Sequence, residues 1–285
     1  LFVLAISLVV ISGLLHAVWN LFTKRSLDKT AFLWWMQVLA TAIYLPWAII
    51  AILHRDIPAI GWWLLALTVS VHGLYVTLLS KTYTAGDMSQ VYPLMRGVSP
   101  LLVPIIGVVL LGEHLSTFGW LGVVCIVVGI WTLSNWRLTR KSQARTLAPT
   151  ATWLALAVGV SITVYTTLDK ITLAYVPAVS LNDASNLGNM VALSVTAIRS
   201  GALASEWRVN WRTVLLGGIM APGGYLLFLY ALQLLPLAQL APMREIGIVF
   251  GAILGIVVLK EAQGARRIVA AGLITIGVVV LGIFG

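Results

Sequence analysis

The sequence predicts an all-α membrane protein whose ten transmembrane helices form two inverted five-helix repeats. Three observations predict it. The 285 residues are 60% hydrophobic and 9% charged, with a mean hydropathy of +1.00, whereas a soluble domain carries about 25% charged residues. Ten apolar segments have about the 20 residues that a helix needs to cross a hydrocarbon core of about 30 Å. The chain also repeats itself: Met95-Arg96…Glu113 returns as Met243-Arg244…Glu261, and aligning 95–133 on 243–281 gives 10 identities in 39 positions, Gly107/Gly255 among them. Five spans per half is an odd number, so the second half enters the membrane from the opposite side.

The spans follow in order. The first, 1–23, puts His16 and Asn20 on one face with Trp19 alongside. Its start has neither charge nor an Ala-x-Ala site, so it reads as a mature transmembrane helix rather than a signal peptide. The second, 31–53, is an apolar run, and on the third, 60–80, His72 and Tyr75 share a face. The fourth, 88–111, carries Arg96 about 12 Å from its start at 1.5 Å per residue. Pro93, Pro100 and Pro104 lie in the same span, and each removes a donor and frees a carbonyl, so a broken backbone is expected around Arg96. The fifth, 116–135, holds the single cysteine, Cys125, which leaves no disulfide and no Cys-ligated metal. Glu113 and Glu261 sit in the turns between spans four and five and between nine and ten, and are read either as caps of those hairpin turns or as partners of neighbouring cations.

A basic, proline-terminated stretch at 136–150, WRLTRKSQARTLAPT, has the composition of a solvated cytoplasmic linker and separates a first repeat, 1–135, from a second, 151–285. In the sixth span, 151–169, Val164, Tyr165 and then Lys170 fall in register with Val18, Trp19 and Lys24. The seventh, 178–198, spaces Asn182, Asn186 and Asn189 at i, i+4, i+7 with Asp183 beside them, an amide face suited to a cavity rather than to lipid. The eighth, 212–233, repeats Gly73, Tyr75 and Leu79 as Gly223, Tyr225 and Leu229. Pro236 and Pro242 bracket the start of the ninth, 238–259, where Arg244 lies about 9 Å along the helix next to Glu245. Gly247, Gly251 and Gly255 permit close backbone approach there, against the tenth span, 265–284, or against a second copy of the chain.

An arginine at the centre of a membrane helix costs at least about 2.5 kcal/mol, so Arg96 and Arg244 must face protein or water, either lining a pathway or locking helix packing. The candidate substrate-binding residues are Trp19, Tyr75, Tyr92, Arg96, Tyr165, Asn186, Tyr225 and Arg244, placed around a cavity between spans one, three, four, six, eight and nine. Guanidinium groups suit carboxylate or phosphate-like partners, which indicates an amino-acid-like or phosphonate-like metabolite, anionic or zwitterionic. Asp183 and Glu245 are the coupling candidates, as carboxylates at membrane depth. No catalytic, metal or cofactor site is expected: the chain has four histidines, no HExxH and no phosphate-binding loop. An intramembrane enzyme and a membrane sensor or scaffold are the alternative readings.

The net charge of +9 is a topology signal rather than a nucleic-acid one. Fourteen Lys and Arg fall on one side of the alternating loops and two, Arg55 and Lys170, on the other. The positive-inside rule then makes the richer side cytoplasmic and both termini extracytoplasmic. The expected partners are a small-molecule substrate and the lipid bilayer, with no nucleic acid, in a monomer or homodimer.

The stretch GDMSQVYPLMRGVSPLLVPIIGVVLLGEHLS, its partner APMREIGIVFGAILGIVVLKEAQ, and HAVWNLFTKRS in the first span resemble the EamA-type domains of the drug/metabolite transporter superfamily. The resemblance covers both halves. It implies two inverted five-helix repeats around a central cavity in a multi-pass protein of the bacterial inner membrane, moving small metabolites, often outward. Members of this fold are described with cytoplasmic termini, and the charge count here argues the reverse.

Overall fold

Lipid offers no partner to a backbone N–H or C=O, so each crossing segment must satisfy its own as a helix. The computed structural model describes residues 1–85, 88–133, 149–259 and 265–285. Among them run α1 (Phe2–Arg25), α2 (Lys29–Leu53), α3 (Ala59–Ala85), α4 (Met88–Leu111), α5 (Thr117–Leu133), α6 (Pro149–Thr172), α7 (Ala178–Arg199), α8 (Leu203–Leu234), α9 (Leu237–Met243), α10 (Ile246–Leu259) and α11 (Ala265–Phe284). Seven helical segments of the described residues are long and apolar enough to cross a membrane, and α5 and 268–284 of α11 are shorter apolar helices. The amide-bearing α7 is a full-length helix of 22 residues outside those seven. Asp28 caps α2, its side chain accepting from the Ala31 N–H at 2.7 Å. Gly112 and Gly201, both at φ +66, supply the left-handed residues that end α4 and α7.

Three expectations change. The broken backbone expected at Arg96 is instead at Arg244: α4 runs unbroken through its prolines, while the ninth span is split into α9 and α10 at Arg244-Glu245. Pro242 lies in the last turn of α9, and the chain passes on through tight i+3 bonds, Glu245 N–H to Pro242 O at 3.0 Å, Gly247 to Arg244 at 3.2 Å and Ile248 to Glu245 at 2.9 Å. The eighth span starts earlier, at Leu203, because a polar first turn containing Glu206 continues across a kink at Asn210 (φ −114, ψ 15); Asn210 Nδ2 donates to Glu206 Oε1 at 2.6 Å. The glycine run of α10 seats on α1 rather than on the last helix. A Cβ on Gly247 would lie 2.9 Å from the Gly13 carbonyl, whereas Gly251 has nothing within 4 Å. The linker expected at 136–150 lies outside the described residues but for its last two positions, and so does Glu261.

The two halves interdigitate rather than sit side by side. The most extensive contacts each join one half to the other, and they come in matched pairs: α1 on α8 and α6 on α3, α2 on α8 and α7 on α3, α4 on α6 and α10 on α1. Three more contacts, α2 on α7, α5 on α11 and α4 on α9, pair each helix with its counterpart. The α5–α11 crossing is close enough for backbone contact, since a Cβ on Gly277 would meet the Gly122 carbonyl at 2.5 Å.

Candidate functional site

The interdigitation brings one repeated arginine, Arg96, against the segment that carries the other, Arg244. Arg96, midway along α4, places Nη2 2.9 Å from Oε2 of Glu245, which stands in the break between α9 and α10; both side chains are largely buried. Glu245 therefore serves the arginine of the other half rather than its neighbour Arg244. The Arg244 guanidinium lies over the rings of Tyr225 at 4.9 Å and Phe228 at 4.6 Å, positions where a ring face attracts a cation. The helix break makes this possible, because two adjacent residues of one straight helix project about 100° apart and the tight turn re-aims both.

Beside Arg96 is a cavity of about 30 Å³, lined by His16, Trp19 and Asn20 of α1, Tyr75, Leu79 and Tyr83 of α3, Met95 and Arg96 of α4, and Val158 and Ile162 of α6. That volume holds roughly one water, so the site is nearly closed. The His16 and Trp19 rings meet edge to face at 4.9 Å. From Tyr75 the aromatic contacts continue inward: Tyr75 to Tyr165 at 5.2 Å, Tyr165 to His72 at 4.2 Å, and Tyr165 to Tyr225 at 6.3 Å. Of the residues expected from sequence, Trp19, Tyr75 and Arg96 line the cavity, while Tyr165, Tyr225 and Arg244 form the layer that joins it. The side chain of Tyr92 lies outside the described residues.

Asn186 and Asp183 are buried, with Asn182 and Leu193, on the inward side of α7, while Leu187, Val191 and Val195 of the opposite face are exposed. The amide face is thus turned inward, but no α7 residue, Asn186 included, lines the cavity beside Arg96; Asn182 Nδ2 and Oδ1, Asp183 Oδ1, Asn186 Nδ2 and Asn189 Oδ1 have no hydrogen-bond partner. Such buried polar atoms are costly unless water or a ligand meets them. A larger apolar groove of about 490 Å³, lined by Tyr44, Trp47, Leu226 and Tyr230 among others, carries no charge and opens at the protein surface, where Trp47 and Tyr230 are exposed.

The sequence leaves Asp169 unmarked and gives Glu113 a different role. Asp169, placed at the end of the sixth span, is fully buried in α6 and accepts from Thr68 Oγ1 at 2.6 Å and from the Tyr225 hydroxyl in a short bond, with His72 Nε2 at 3.1 Å. Glu113 does not cap its own hairpin: it crosses to the other half, where its two carboxylate oxygens accept from the backbone N–H groups of Leu237 and Ala238 at 2.7 Å each, capping α9. Lys170 likewise donates to the terminal carbonyls of α8, Leu232 and Leu235.

The profile of the EamA-like transporter family matches residues 3–135 and 149–283. The chain belongs to the EamA-like transporter family. One curated relative, an uncharacterized transporter in the cobO 3' region of Sinorhizobium sp., is 35% identical over 79 residues, 28% of this chain and 55% of that protein; the chain thus spans about half the length of the curated relative it matches. A solved structure titled "Crystal structure of protein" covers 97% of this chain and 95% of its own at a TM-score of 0.78 and 18% identity, a likeness of fold. This EamA-like protein is accordingly all-helical, apolar and multi-pass.

Proposed function

We infer that this EamA-like protein is a secondary active transporter of a small anionic or zwitterionic metabolite, amino-acid-like or phosphonate-like, working by alternating access about a central site. The observation that carries this reading is Arg96 on the wall of a nearly closed cavity, paired with Glu245 of the other half, whose chain neighbour Arg244 rests on Tyr225. Arg96 presents its guanidinium to the cavity while Glu245 balances its charge, and an anionic group entering there competes with Glu245 for the same donors. The aromatic layer of Tyr75, Tyr165 and Tyr225 accepts an apolar or flat part of the ligand, and the unsatisfied amides of α7, Asn186 included, accept a polar one.

Matched helix contacts across the halves support two inverted repeats, 1–135 and 151–285, because exchanging the halves leaves the contact pattern unchanged. In that arrangement Asp183 and Glu245 are carboxylates available for coupling, and the charge count supports an orientation with both termini outside an inner membrane. The family match and the transporter among the relatives favour transport over an intramembrane enzyme or a sensor.

The test is uptake into proteoliposomes of a labelled panel of amino acids and 2-aminoethylphosphonate. Uptake of at least one zwitterion or anion by the wild type, lost in Arg96→Gln that still unfolds cooperatively, supports the assignment. Selective uptake of organic cations, or full activity in Arg96→Gln, refutes it.

A further inference from the structure

A carboxylate with no solvent exposure is tolerated inside a membrane protein only where the surrounding groups hold it, and its position then marks a function. Asp169 is such a group. From its place on α6 it meets partners on two other helices, one in each half: Thr68 and His72 on α3 and Tyr225 on α8. No lysine or arginine pairs with it among the described residues; its salt-bridge partner is His72. Around it stand Tyr165, against the His72 ring, and Arg244, over the Tyr225 ring. Its neighbour Lys170 is turned to the α8 carbonyls. Farther off, Glu245 is engaged by Arg96, and Asp183, on the α7 that packs against α3, has an unpartnered oxygen.

Two donors, His72 Nε2 and the Tyr225 hydroxyl, converge on one oxygen, Asp169 Oδ2. A proton added to that oxygen turns an acceptor of two bonds into a donor. The contacts then survive only if Tyr225 or His72 reverses its role or moves away. Tyr225 is also the ring on which Arg244 rests, so loosening its hydroxyl loosens the seat of an arginine. We propose that Asp169, with Thr68, His72 and Tyr225 around it, is a proton-binding site that couples transport to a proton gradient, with Tyr225 passing the event to Arg244. The balance is simple: one proton enters from the aqueous phase on one side, makes the carboxylate a carboxylic acid, and leaves to the other side later in the cycle. Linkage is reciprocal, so an anion that draws Arg244 off the ring favours proton uptake in return.

The proposal rests on the transport reading, and the two fail differently. Purified protein is placed in proteoliposomes with a trapped pH dye, and a labelled mixture of amino acids is the probe. Counterflow at equal pH tests transport alone; accumulation against a gradient of about one pH unit, with the membrane potential clamped, tests coupling. With one proton per cycle the wild type accumulates the probe up to about tenfold. Asp169→Asn, which keeps an acceptor oxygen for Thr68 and puts an amide NH2 where Oδ2 stood, is expected to retain counterflow while its accumulation ratio falls to unity, and His72→Gln is expected to do the same. His72→Gln decides the matter if Asp169→Asn does not fold. Accumulation that persists in these variants, that vanishes instead in Asp183→Asn or Glu245→Gln alone, or that follows a sodium gradient in the wild type overturns the proposal. Absence of counterflow in the wild type overturns the transport reading and this proposal with it.

Discussion

Removing either partner of the Arg96–Glu245 pair leaves a charge buried in a membrane protein without its counter-ion. The two groups approach to 2.9 Å, and their side chains are 13% and 7% exposed. Deleting one member of such a pair destabilises by about 3–5 kcal/mol, while replacing both by apolar residues of similar volume is close to neutral. Glu245→Leu and Arg96→Met should therefore each lose stability on that scale, and the double variant should recover most of the loss. The assay is reversible unfolding by titrated denaturant in mixed micelles, read as a double-mutant cycle. A coupling energy above about 2 kcal/mol is expected, in the upper part of the range for residues in direct contact. Single variants that each stay within about 0.5 kcal/mol of wild type, the range of surface substitutions, would refute the claim that the halves are joined here by a desolvated ion pair.

Gly277→Leu must push apart backbones whose nearest approach leaves 2.5 Å for a new Cβ, and a loss of at least about 1–3 kcal/mol should appear as a lower unfolding temperature; Gly251→Ala, in open space, serves as the neutral control. Glu113→Ala removes two charge-assisted bonds to the start of α9, worth about 1.5–3 kcal/mol each in comparable settings, and should raise hydrogen exchange at 237–240 well above the remainder of the helix core. Both termini are expected outside the cytoplasm, so a C-terminal reporter active only in the periplasm should work, and one active only in the cytoplasm contradicts the charge argument.

The helical character and the need to bury the two arginines were legible in the sequence because lipid imposes one rule: apolar length makes a helix, and charge within it needs a reason. The amide face of α7 was legible for the same reason, and its exposed counterpart at Leu187, Val191 and Val195 completes the pattern. Breaks were not legible, since proline removes one bond wherever it stands. Pro93, Pro100 and Pro104 lie within the continuous α4, whereas Pro242 precedes a tight turn, and the surrounding helices decide which. Asp169 was missed because the Asp169-Lys170 pair has the look of an interface. Only the packing of α6 shows the two side chains parting, Lys170 to the α8 carbonyls and Asp169 into the core. A sequence signal was present in the run of threonines before it, Thr163, Thr166 and Thr167, all buried, which marks a helix face that does not meet lipid. Long-range partners such as Glu113 with α9 cannot be read from one chain segment at all.

The central claim is that this protein carries a small molecule across a membrane and does nothing chemical to it. Counterflow tests that most directly: proteoliposomes preloaded with an unlabelled amino acid mixture are diluted into the labelled one with no ion gradient. The account predicts a transient overshoot of label inside, with the probe recovered unchanged and the overshoot absent in Arg96→Gln. No overshoot across the amino acid and aminophosphonate panel, or recovery of a chemically altered probe, would contradict it.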